Sequence, residues 1–191
     1  MNKRPYRMRK RAESQAETRR RIVEATIALH QTKGPAATSM ADVAKQAGVG
    51  KVTVYRHFPD EPTLSRACSG LYFERHPFPD PQTWRRIDDP LERLRHGLGE
   101  AYAYHAETQQ MMGHVLADAR DHPVVRPYHA LWAAAADIIL DAWLPRDDET
   151  ALRAGLVMAL SFETWRALVK EQGLSQDQAV ALIERLMCDC A

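Results

Sequence analysis

The pair Gly50-Lys51 is the first feature of the sequence that could do chemistry, because glycine followed by lysine can hold a phosphate. A nucleotide-binding P-loop requires G-x-x-x-x-G-K-[ST] after a strand. Lys45 stands where the first glycine of that pattern belongs, and Val52 stands where Ser or Thr is required. The preceding residues also have helical spacing. A bound nucleotide is therefore disfavoured, and the phosphate backbone of DNA becomes the better candidate.

Apolar residues recur at helical spacing along the chain, and no segment of useful length alternates as a strand does. The sequence therefore predicts an all-α fold. Ser39 is positioned to cap a helix, with Asp42 three residues later as in a capping box. Gly34, Gly48 and Pro59 are helix-ending signals. The predicted helices of this N-terminal head cover residues 17–33, 40–47, 51–57 and 61–75.

A proline-rich stretch, Pro77–Pro81, separates this head from a larger body. The body helices are predicted near residues 90–105, 108–121, 124–144, 148–172 and 175–189. Two segments, 152–169 and 179–187, carry more apolar surface than one body can easily bury. We therefore expect a second copy of the chain to pair with them in a four-helix interface.

Charge is divided unevenly between the two parts of the chain. The net charge of the 191 residues is +1, but residues 1–61 carry +7 and the remainder carries −6. A basic head on an acidic body suggests that the head meets a polyanion. The alternative, a basic tail that is merely solvated, is left open by the charge count.

Cysteine usage and hydropathy indicate the cellular setting. Cys68, Cys188 and Cys190 are too few and too unevenly spaced for a disulfide framework, which favours a reducing, cytoplasmic environment. No run of about 18 uncharged apolar residues is present, so no membrane partner is expected. The basic N-terminus is followed by no apolar segment, and we do not expect it to be a secretory signal.

Two short helices joined by Ala47-Gly48-Val49 follow the helix-turn-helix plan, and over residues 22–64 the sequence resembles the TetR family of bacterial transcriptional regulators. The matching positions are Ile22, Ala25, Leu29, Gly34, Thr38, Asp42, Val43, Ala44, Ala47, Gly48, Val49, Thr53, Tyr55, His57, Phe58 and Leu64. The resemblance implies a homodimer, a DNA-binding head in each subunit, and a body pocket for a small effector that releases DNA. It divides the chain into a flexible basic arm (1–15), a helix-turn-helix domain (16–76) and a ligand-binding and dimerisation domain (77–191).

The second short helix is the candidate recognition helix. Val54 and Phe58 should face the core, which leaves Thr53 and Arg56 on one exposed face. Arg56 could read guanine or contact a phosphate. The predicted DNA-binding residues are Thr38, Ser39, Lys51, Thr53, Tyr55, Arg56 and His57. For Thr38 and Ser39 helix capping is an alternative role, and for Tyr55 and His57 packing against neighbouring helices is one.

Three positions depart from the family pattern. His30 stands where an aromatic residue usually packs, Ala41 replaces a longer polar residue, and Glu61 stands where a lysine commonly touches a phosphate. The phosphate-contact role is therefore not carried over to Glu61. The basic residues of the arm, from Lys3 to Arg11, could enter a minor groove or remain a disordered tail.

Aromatic and methionine residues of the body are candidates for an effector pocket, although ordinary core packing is an alternative for each. The predicted set is Tyr102, His105, Met112, Trp132, Glu163 and Trp165. Glu163 lies inside an apolar run, where a buried carboxylate would need a partner: a ligand, Arg166 or a dimer mate. Exposure at the edge of the interface is the alternative.

Enzymatic function is disfavoured by the absence of any catalytic motif. "His-Ala-Glu" at 105–107 is not the H-E-x-x-H of metalloproteases. His114, Asp118 and His122 have a spacing that could hold a metal, but such spacing arises often by chance. We expect no enzyme activity, no cofactor and no metal. The sequence predicts a regulator that binds palindromic double-stranded DNA as a dimer. Repression is favoured over activation. The alternatives are a regulator of the same fold that activates or responds to no ligand, and an all-helical enzyme or scaffold with a chance helix-turn-helix resemblance.

Overall fold

A computed structural model describes residues 3–118, 125–143 and 148–189 of the chain, and every regular element in them is helical. The expected all-α fold is therefore confirmed. The helices are α1 (Lys3–Lys33), α2 (Met40–Gln46), α3 (Lys51–His57), α4 (Glu61–Arg75), α5 (Pro90–Asp118), α6 (Arg126–Leu140), α7 (Glu149–Ala159), α8 (Phe162–Trp165) and α9 (Gln176–Asp189). A 3-10 helix (Pro81–Arg86) precedes α5, and a π-helical segment (Arg166–Glu171) follows α8.

The chain forms two compact units. The first contains the residues up to Pro77 together with Gly113–Asp118, the last turns of α5. The second contains the described residues from Phe78 to Met112 and those after α5. No helix of the described ranges is both long and apolar enough to cross a membrane.

The basic segment predicted as a flexible arm is instead part of α1, which is continuous from Lys3. The composition explains this result, because arginine, lysine, glutamate and alanine are strong helix formers. Pairs of opposite charge also lie one turn apart along the exposed surface, with Arg9 2.9 Å from Glu13 and Arg20 2.9 Å from Glu17. Such solvent-exposed pairs support the helix only weakly.

The core of the first unit is built where α1 packs against α2 and α4, and α2 against α3. Ile22, Val43 and Val54 are essentially inaccessible to solvent at its centre. An ion pair of 2.7 Å between Arg75 and Glu24 joins the end of α4 to α1. These contacts hold α3 firmly, with one face in the core and the opposite face outward.

The second unit differs from the expected helix pattern in two places. The segments predicted as helices 90–105 and 108–121 form the single helix α5, because no glycine or proline interrupts the chain between them. The predicted helix 148–172 is broken at Leu160-Ser161, where Ser161 ends one helix and caps the next by accepting from the Thr164 N–H at 3.1 Å. The sequence did not predict this break because apolar residues continue on both sides of it.

Trp84, on the 3-10 helix, anchors that element in the second unit. Its side chain is fully buried, and its Nε1–H donates to a Glu100 carboxylate oxygen at 2.6 Å. Arg93 lies nearby on α5 and donates to the carbonyl oxygens of Ile87 at 2.7 Å and Ile138 at 3.0 Å. These hydrogen bonds satisfy backbone carbonyls and fix α5, whose inward side carries part of the body site described below.

Candidate functional site

The α2–α3 turn is shaped by local hydrogen bonds. Ser39 Oγ accepts from the Asp42 N–H at 3.1 Å, and an Asp42 carboxylate oxygen accepts from the Ser39 N–H at 3.0 Å, which completes the predicted capping box. Gly48 has a φ of +63°, a conformation that favours glycine, and Val49 N–H donates to the Ala44 carbonyl at 3.0 Å. The turn therefore sends α3 away from α2 at a fixed angle.

The hydroxyl groups of Thr38 and Ser39 both donate hydrogen bonds to acceptors within the protein. Thr38 Oγ1 donates to the Gly34 carbonyl at 2.7 Å, and Ser39 Oγ donates to Asp42 at 2.7 Å. Asp42 also pairs with Lys33 at 2.9 Å, and hydrogen bonds from Ser39 and Lys33 hold its pKa well below the usual value. The capping role left open by the sequence is confirmed for Ser39, whereas Thr38 instead donates to a carbonyl at the end of α1.

Arg21 contributes to this turn and was missed by the sequence reasoning. Its guanidinium donates to the Ala47 carbonyl at 2.6 Å and to the Gly48 carbonyl at 3.3 Å. These carbonyls lie at the C-terminal end of α2, where backbone acceptors lack helical partners and the helix dipole favours a cation. Arg19, two residues earlier, lies over the Phe58 ring at 4.5 Å from its centroid. No motif marked either arginine beforehand.

The outward face of α3 is defined by Val54, which is fully buried. Residues two positions before and after it lie about 200° away around the helix. Val52 and Arg56 therefore point outward, and both are exposed. Lys51 and Tyr55 border this face and are also exposed, with Lys51 Nζ 5.9 Å from the Tyr55 ring centroid.

Val52 is the second residue that sequence reasoning missed. Its side chain is 82% exposed, although valine is ordinarily a core residue. Thr53, predicted to share the exposed face with Arg56, is only half-exposed, and so is His57. Helix geometry gives the reason. Val54 is buried as predicted, positions 52 and 56 lie opposite it, and position 53 lies only about 100° away.

His57 is expected to be uncharged at neutral pH. Partial burial lowers its pKa below the usual value for histidine, and the positive charges of Arg56 and Arg19 lower it further. Any contact of His57 with DNA would therefore use a neutral imidazole. The positive charge near this end of α3 comes from the arginines instead.

The start of α4 carries carboxylates where a phosphate contact was in doubt. Asp60 caps the helix by accepting from the Thr63 N–H at 2.7 Å, and this hydrogen bonding lowers the pKa of Asp60. Glu61 is exposed in the first turn. Both charges suit the helix dipole but repel a phosphate. The structure gives no reason to restore a phosphate-binding role to Glu61.

His30 fills the aromatic position beneath the helix-turn-helix. It is buried, and its Nδ1 lies 3.7 Å from Sγ of Cys68 on α4. Burial lowers the pKa of His30 and raises that of the Cys68 thiol to about 12. Both groups are therefore neutral at pH 7, and the pair packs as an apolar unit.

A cluster of aromatic rings forms the candidate effector site in the second unit. We call it the aromatic cluster, and it consists of Phe78, Tyr102, Tyr104, His105, Tyr128, Trp132, Phe162 and Trp165. His105 is at its centre, with ring centroids 4.9 Å from Trp132 and 6.0 Å from Trp165. Four of the six predicted effector residues, Tyr102, His105, Trp132 and Trp165, are thus brought together.

The other two predicted effector residues are placed differently. Met112 is buried on α5, two turns beyond His105. Glu163 is exposed, so of the two alternatives the buried carboxylate is excluded and solvent exposure is confirmed. It sits in the first turn of the short helix α8, where Phe162 and Trp165 take the inward positions. Arg166, the suggested partner, lies 3.4 Å from Glu171 instead.

Two polar groups of the aromatic cluster donate hydrogen bonds to backbone carbonyls at the break between α7 and α8. The Tyr102 hydroxyl donates to the Ala159 carbonyl at 3.1 Å, and His105 Nε2–H donates to the Leu160 carbonyl at 2.9 Å. His105 is completely buried, and burial lowers its pKa to about 4. His105 is consequently neutral, with its Nδ1 left as an acceptor for the Tyr128 hydroxyl at 3.4 Å.

The metal hypothesis receives no support from the described part of the chain, where no three potential ligands come together. Asp118 accepts from the Ala36 N–H at 2.9 Å and so serves the turn after α1. His122 lies outside the described residues, as do the side chains of Cys188 and Cys190.

A capped helix, a glycine turn and a second helix with one outward face define a helix-turn-helix, a motif that places its second helix in the major groove of DNA in many regulators. Residues 22–64 match the family model described as bacterial regulatory proteins, tetR family. The resemblance to the TetR family is therefore confirmed over this segment of the chain.

Two curated relatives are helix-turn-helix regulators that match part of this chain. The repressor KstR of Mycolicibacterium smegmatis is 34% identical over 89 residues, which cover 47% of this chain and 44% of KstR. The regulator TtgR of Pseudomonas putida is 35% identical over 69 residues, which cover 36% of this chain and 33% of TtgR. The matches thus span less than half of these relatives.

Solved structures extend the likeness to the whole fold. A TetR-like transcriptional regulator from Rhodococcus sp. RHA1 has a TM-score of 0.60 at 19% identity, with 91% of this chain and 94% of that one covered. NalD, the secondary repressor of the MexAB-OprM multidrug efflux pump in Pseudomonas aeruginosa, has a TM-score of 0.54 at 18% identity, with 93% and 96% covered. At this identity the likeness concerns the fold alone.

Proposed function

We propose that the protein is a transcriptional regulator that binds a palindromic DNA operator as a homodimer and represses transcription by occupying it. The observation that carries the proposal is the outward face of α3, where Lys51, Val52, Tyr55 and Arg56 are exposed side by side. A helix of this kind fits the major groove, which is about 12 Å wide. Such a protein acts in the cytoplasm, where bacterial DNA is found.

Each residue of this face has a chemically distinct role in the proposal. Arg56 donates two hydrogen bonds to O6 and N7 of a guanine, and Val52 packs against the methyl group of a thymine. Lys51, at the N-terminal end of α3, binds a phosphate, and Tyr55 contacts the backbone beside it. The net charge of +7 on residues 1–61 strengthens binding to any duplex and makes it sensitive to salt.

The helical conformation of the N-terminal basic segment changes the role that we propose for it in DNA binding. A helix is about 10–12 Å across, which is too wide for a minor groove of about 6 Å. In its helical form the extension would therefore bind phosphates along the backbone. Removing residues 1–11 should lower the salt slope of DNA binding by several units if these charges neutralise phosphates.

Dimerisation and effector control complete the proposal. Met158 on α7 and Leu186 on α9 are large apolar side chains that remain more than half exposed in the single chain. We assign this surface to the partner subunit, as the apolar segments of α7 and α9 suggested. The aromatic cluster is assigned to the effector, whose binding would release the operator.

Val52 offers the most specific test of DNA readout. On an operator selected from random duplexes, each thymine is replaced in turn by deoxyuridine, which removes only the methyl group. One replacement should weaken binding about two- to fourfold, since a buried methyl group contributes up to about 0.8 kcal/mol. Val52→Ala should abolish that difference, whereas Val52→Thr, which keeps a methyl group, should retain part of it. If no thymine responds, Val52 does not read DNA.

Three alternatives give different experimental results. A regulator of the same fold that activates transcription would bind the same operator but raise expression from a reporter promoter. A ligand-independent regulator would keep its operator affinity whatever occupies the aromatic cluster. A helical enzyme or scaffold would select no sequence at all from the random pool.

A further inference from the structure

Phe78 differs from the other rings of the aromatic cluster in two ways. It lies in the segment between α4 and the 3-10 helix, outside any helix, and it is half-exposed. The other rings lie on α5, α6 and α8 and are buried. Phe78 is therefore the ring that can leave the cluster without moving a helix.

The position that Phe78 occupies is shaped for a flat ring. Its ring stacks on Tyr104, with centroids 4.8 Å apart and planes inclined by 25°. Tyr128 lies at 5.7 Å and Trp132 meets it edge-on at 5.9 Å. These are the separations at which aromatic pairs attract each other. The chain thus supplies its own aromatic occupant to this position.

Trp132 adds a polar requirement to the same position. Its ring is 4% exposed, and its Nε1–H makes no well-formed hydrogen bond within the described residues. Burial raises the pKa of the Tyr128 hydroxyl, and the nearby Trp132 side chain partly opposes this rise. A buried donor without a good acceptor costs about 1–3 kcal/mol, so an acceptor on a ligand would be favoured there.

Charge is poorly accommodated in the cluster. His105 at its centre is neutral because burial lowers its pKa to about 4. The charged groups near its rim have opposite signs: Glu163 raises the pKa of Tyr128, and Lys170 Nζ lies 5.6 Å from the Trp165 ring centroid. An ionised ligand between the rings would lose its hydration without gaining a direct partner.

We propose that the aromatic cluster binds an uncharged aromatic molecule bearing a carbonyl-type acceptor, which displaces Phe78 and accepts a hydrogen bond from Trp132 Nε1–H. This inference rests on the proposed function, because it names the chemical class of the effector. Phe78 acts as a competing occupant of the site. The ligand binds only to molecules in which Phe78 has left this position. The apparent affinity is therefore lowered in proportion to the fraction of such molecules.

Acetophenone is the probe, and the binding measurement uses the full chain without DNA. The protein is labelled with 15N-tryptophan, and its four indole N–H signals are followed during titration. The signal of Trp132, assigned from Trp132→Phe, should shift saturably. That of Trp84, already bonded to Glu100, should not. Cyclohexyl methyl ketone should bind about fivefold more weakly, since it keeps the acceptor and loses the ring contacts. Benzoate and trimethylanilinium, which carry opposite charges, should bind more weakly still.

Variants test the role of Phe78. Phe78→Ala should tighten acetophenone binding at least about fivefold, because it removes the competing ring. Phe73→Ala, a truncation of the same residue type on α4, should leave the affinity unchanged. Trp132→Phe should weaken acetophenone about three- to tenfold while changing the affinity of ethylbenzene, which has no acceptor, much less.

Three results would overturn the inference: no saturable shift with acetophenone, unchanged or weaker binding to Phe78→Ala, or tighter binding of either charged probe. Operator selection by the same preparation separates this failure from that of the proposed function. A protein that selects a palindrome but ignores acetophenone refutes the ligand class alone. One that selects no sequence refutes the function, whatever it binds in the cluster.

Discussion

His105 should make the free energy of unfolding decrease as the pH falls below 6.5. Substituting His105 alone should remove this contribution to the pH dependence. Its imidazole is completely buried and donates from Nε2 to the Leu160 carbonyl at 2.9 Å. Burial lowers its pKa from 6.5 to about 4. Below pH 6.5 the unfolded chain therefore binds a proton that the folded chain refuses, and the stabilisation present above pH 6.5 is lost progressively down to pH 4.

The size of the effect follows from the two pKa values. Between pH 7 and pH 5 the free energy of unfolding should fall by about 2 kcal/mol on account of His105, and by about 3 kcal/mol at pH 4. His105→Gln keeps an N–H donor for Leu160 but cannot titrate. Its stability should fall with pH by about 2 kcal/mol less than that of the wild type over the same interval.

Urea unfolding followed by far-UV circular dichroism measures this difference. Both proteins are compared at equal concentration at pH 7, 6 and 5, so that any dimerisation contributes equally. Other titrating groups, including His30, are common to both and cancel in the comparison. Parallel stability curves for the wild type and His105→Gln would refute the buried, neutral His105 that the structure shows.

Two further substitutions test the packing. Gly97→Ala would place a Cβ 2.9 Å from Ile139 Cδ1 and 3.1 Å from the Trp84 ring, so urea unfolding should show a loss of about 1 kcal/mol after the gain in helix propensity. Gly99→Ala, which meets nothing within 4 Å on the same helix, should gain about 0.5–1 kcal/mol; equal signs for the two would contradict this account. Arg21→Gln should speed amide hydrogen exchange at Val49 by about fivefold through loss of its hydrogen bonds to the α2–α3 turn. Arg20→Gln removes only surface ion pairs and should leave the exchange rate at Val49 unchanged. An equal effect of both substitutions would mean that the Arg21 hydrogen bonds do not stabilise the turn.

The head of the protein could be predicted closely from the sequence because its signals are local. Ser39 and Asp42 form the capping box that their spacing indicated, and Gly48 adopts the left-handed conformation that its place between two helices required. Val54 and Phe58 are buried as expected. These features depend on residues within one or two turns of each other, where periodicity and capping rules are informative.

The body resisted prediction because its decisive interactions are long-range. The break at Leu160-Ser161 depends on hydrogen bonds from Tyr102 and His105, more than fifty residues earlier in the chain. Phe78 joins the aromatic cluster from a proline-rich segment with no periodicity, so no pattern marked it. Tyr128, four residues before Trp132 on α6, could have been found from its helical spacing.

The outward face of α3 shows how residue type can mislead a functional assignment. Thr53 and Arg56 were expected to share this face, whereas Val52 is the more exposed neighbour of Arg56. Val54 is buried as expected, and this already places position 52, about 200° away around the helix, on the outward side. Valine is ordinarily a core residue, so its type and its position on the helix pointed to opposite assignments.

Selection from a pool of random duplexes is the most direct test of the central claim that this chain reads DNA through α3. The full-length protein should enrich one palindromic sequence with half-sites about 34–36 Å apart, and Arg56→Ala should bind it about 1–3 kcal/mol more weakly while relaxing one base position. No enrichment above non-specific binding would contradict the account. Enrichment that is identical for wild type and Arg56→Ala would remove Arg56 from the reading of bases.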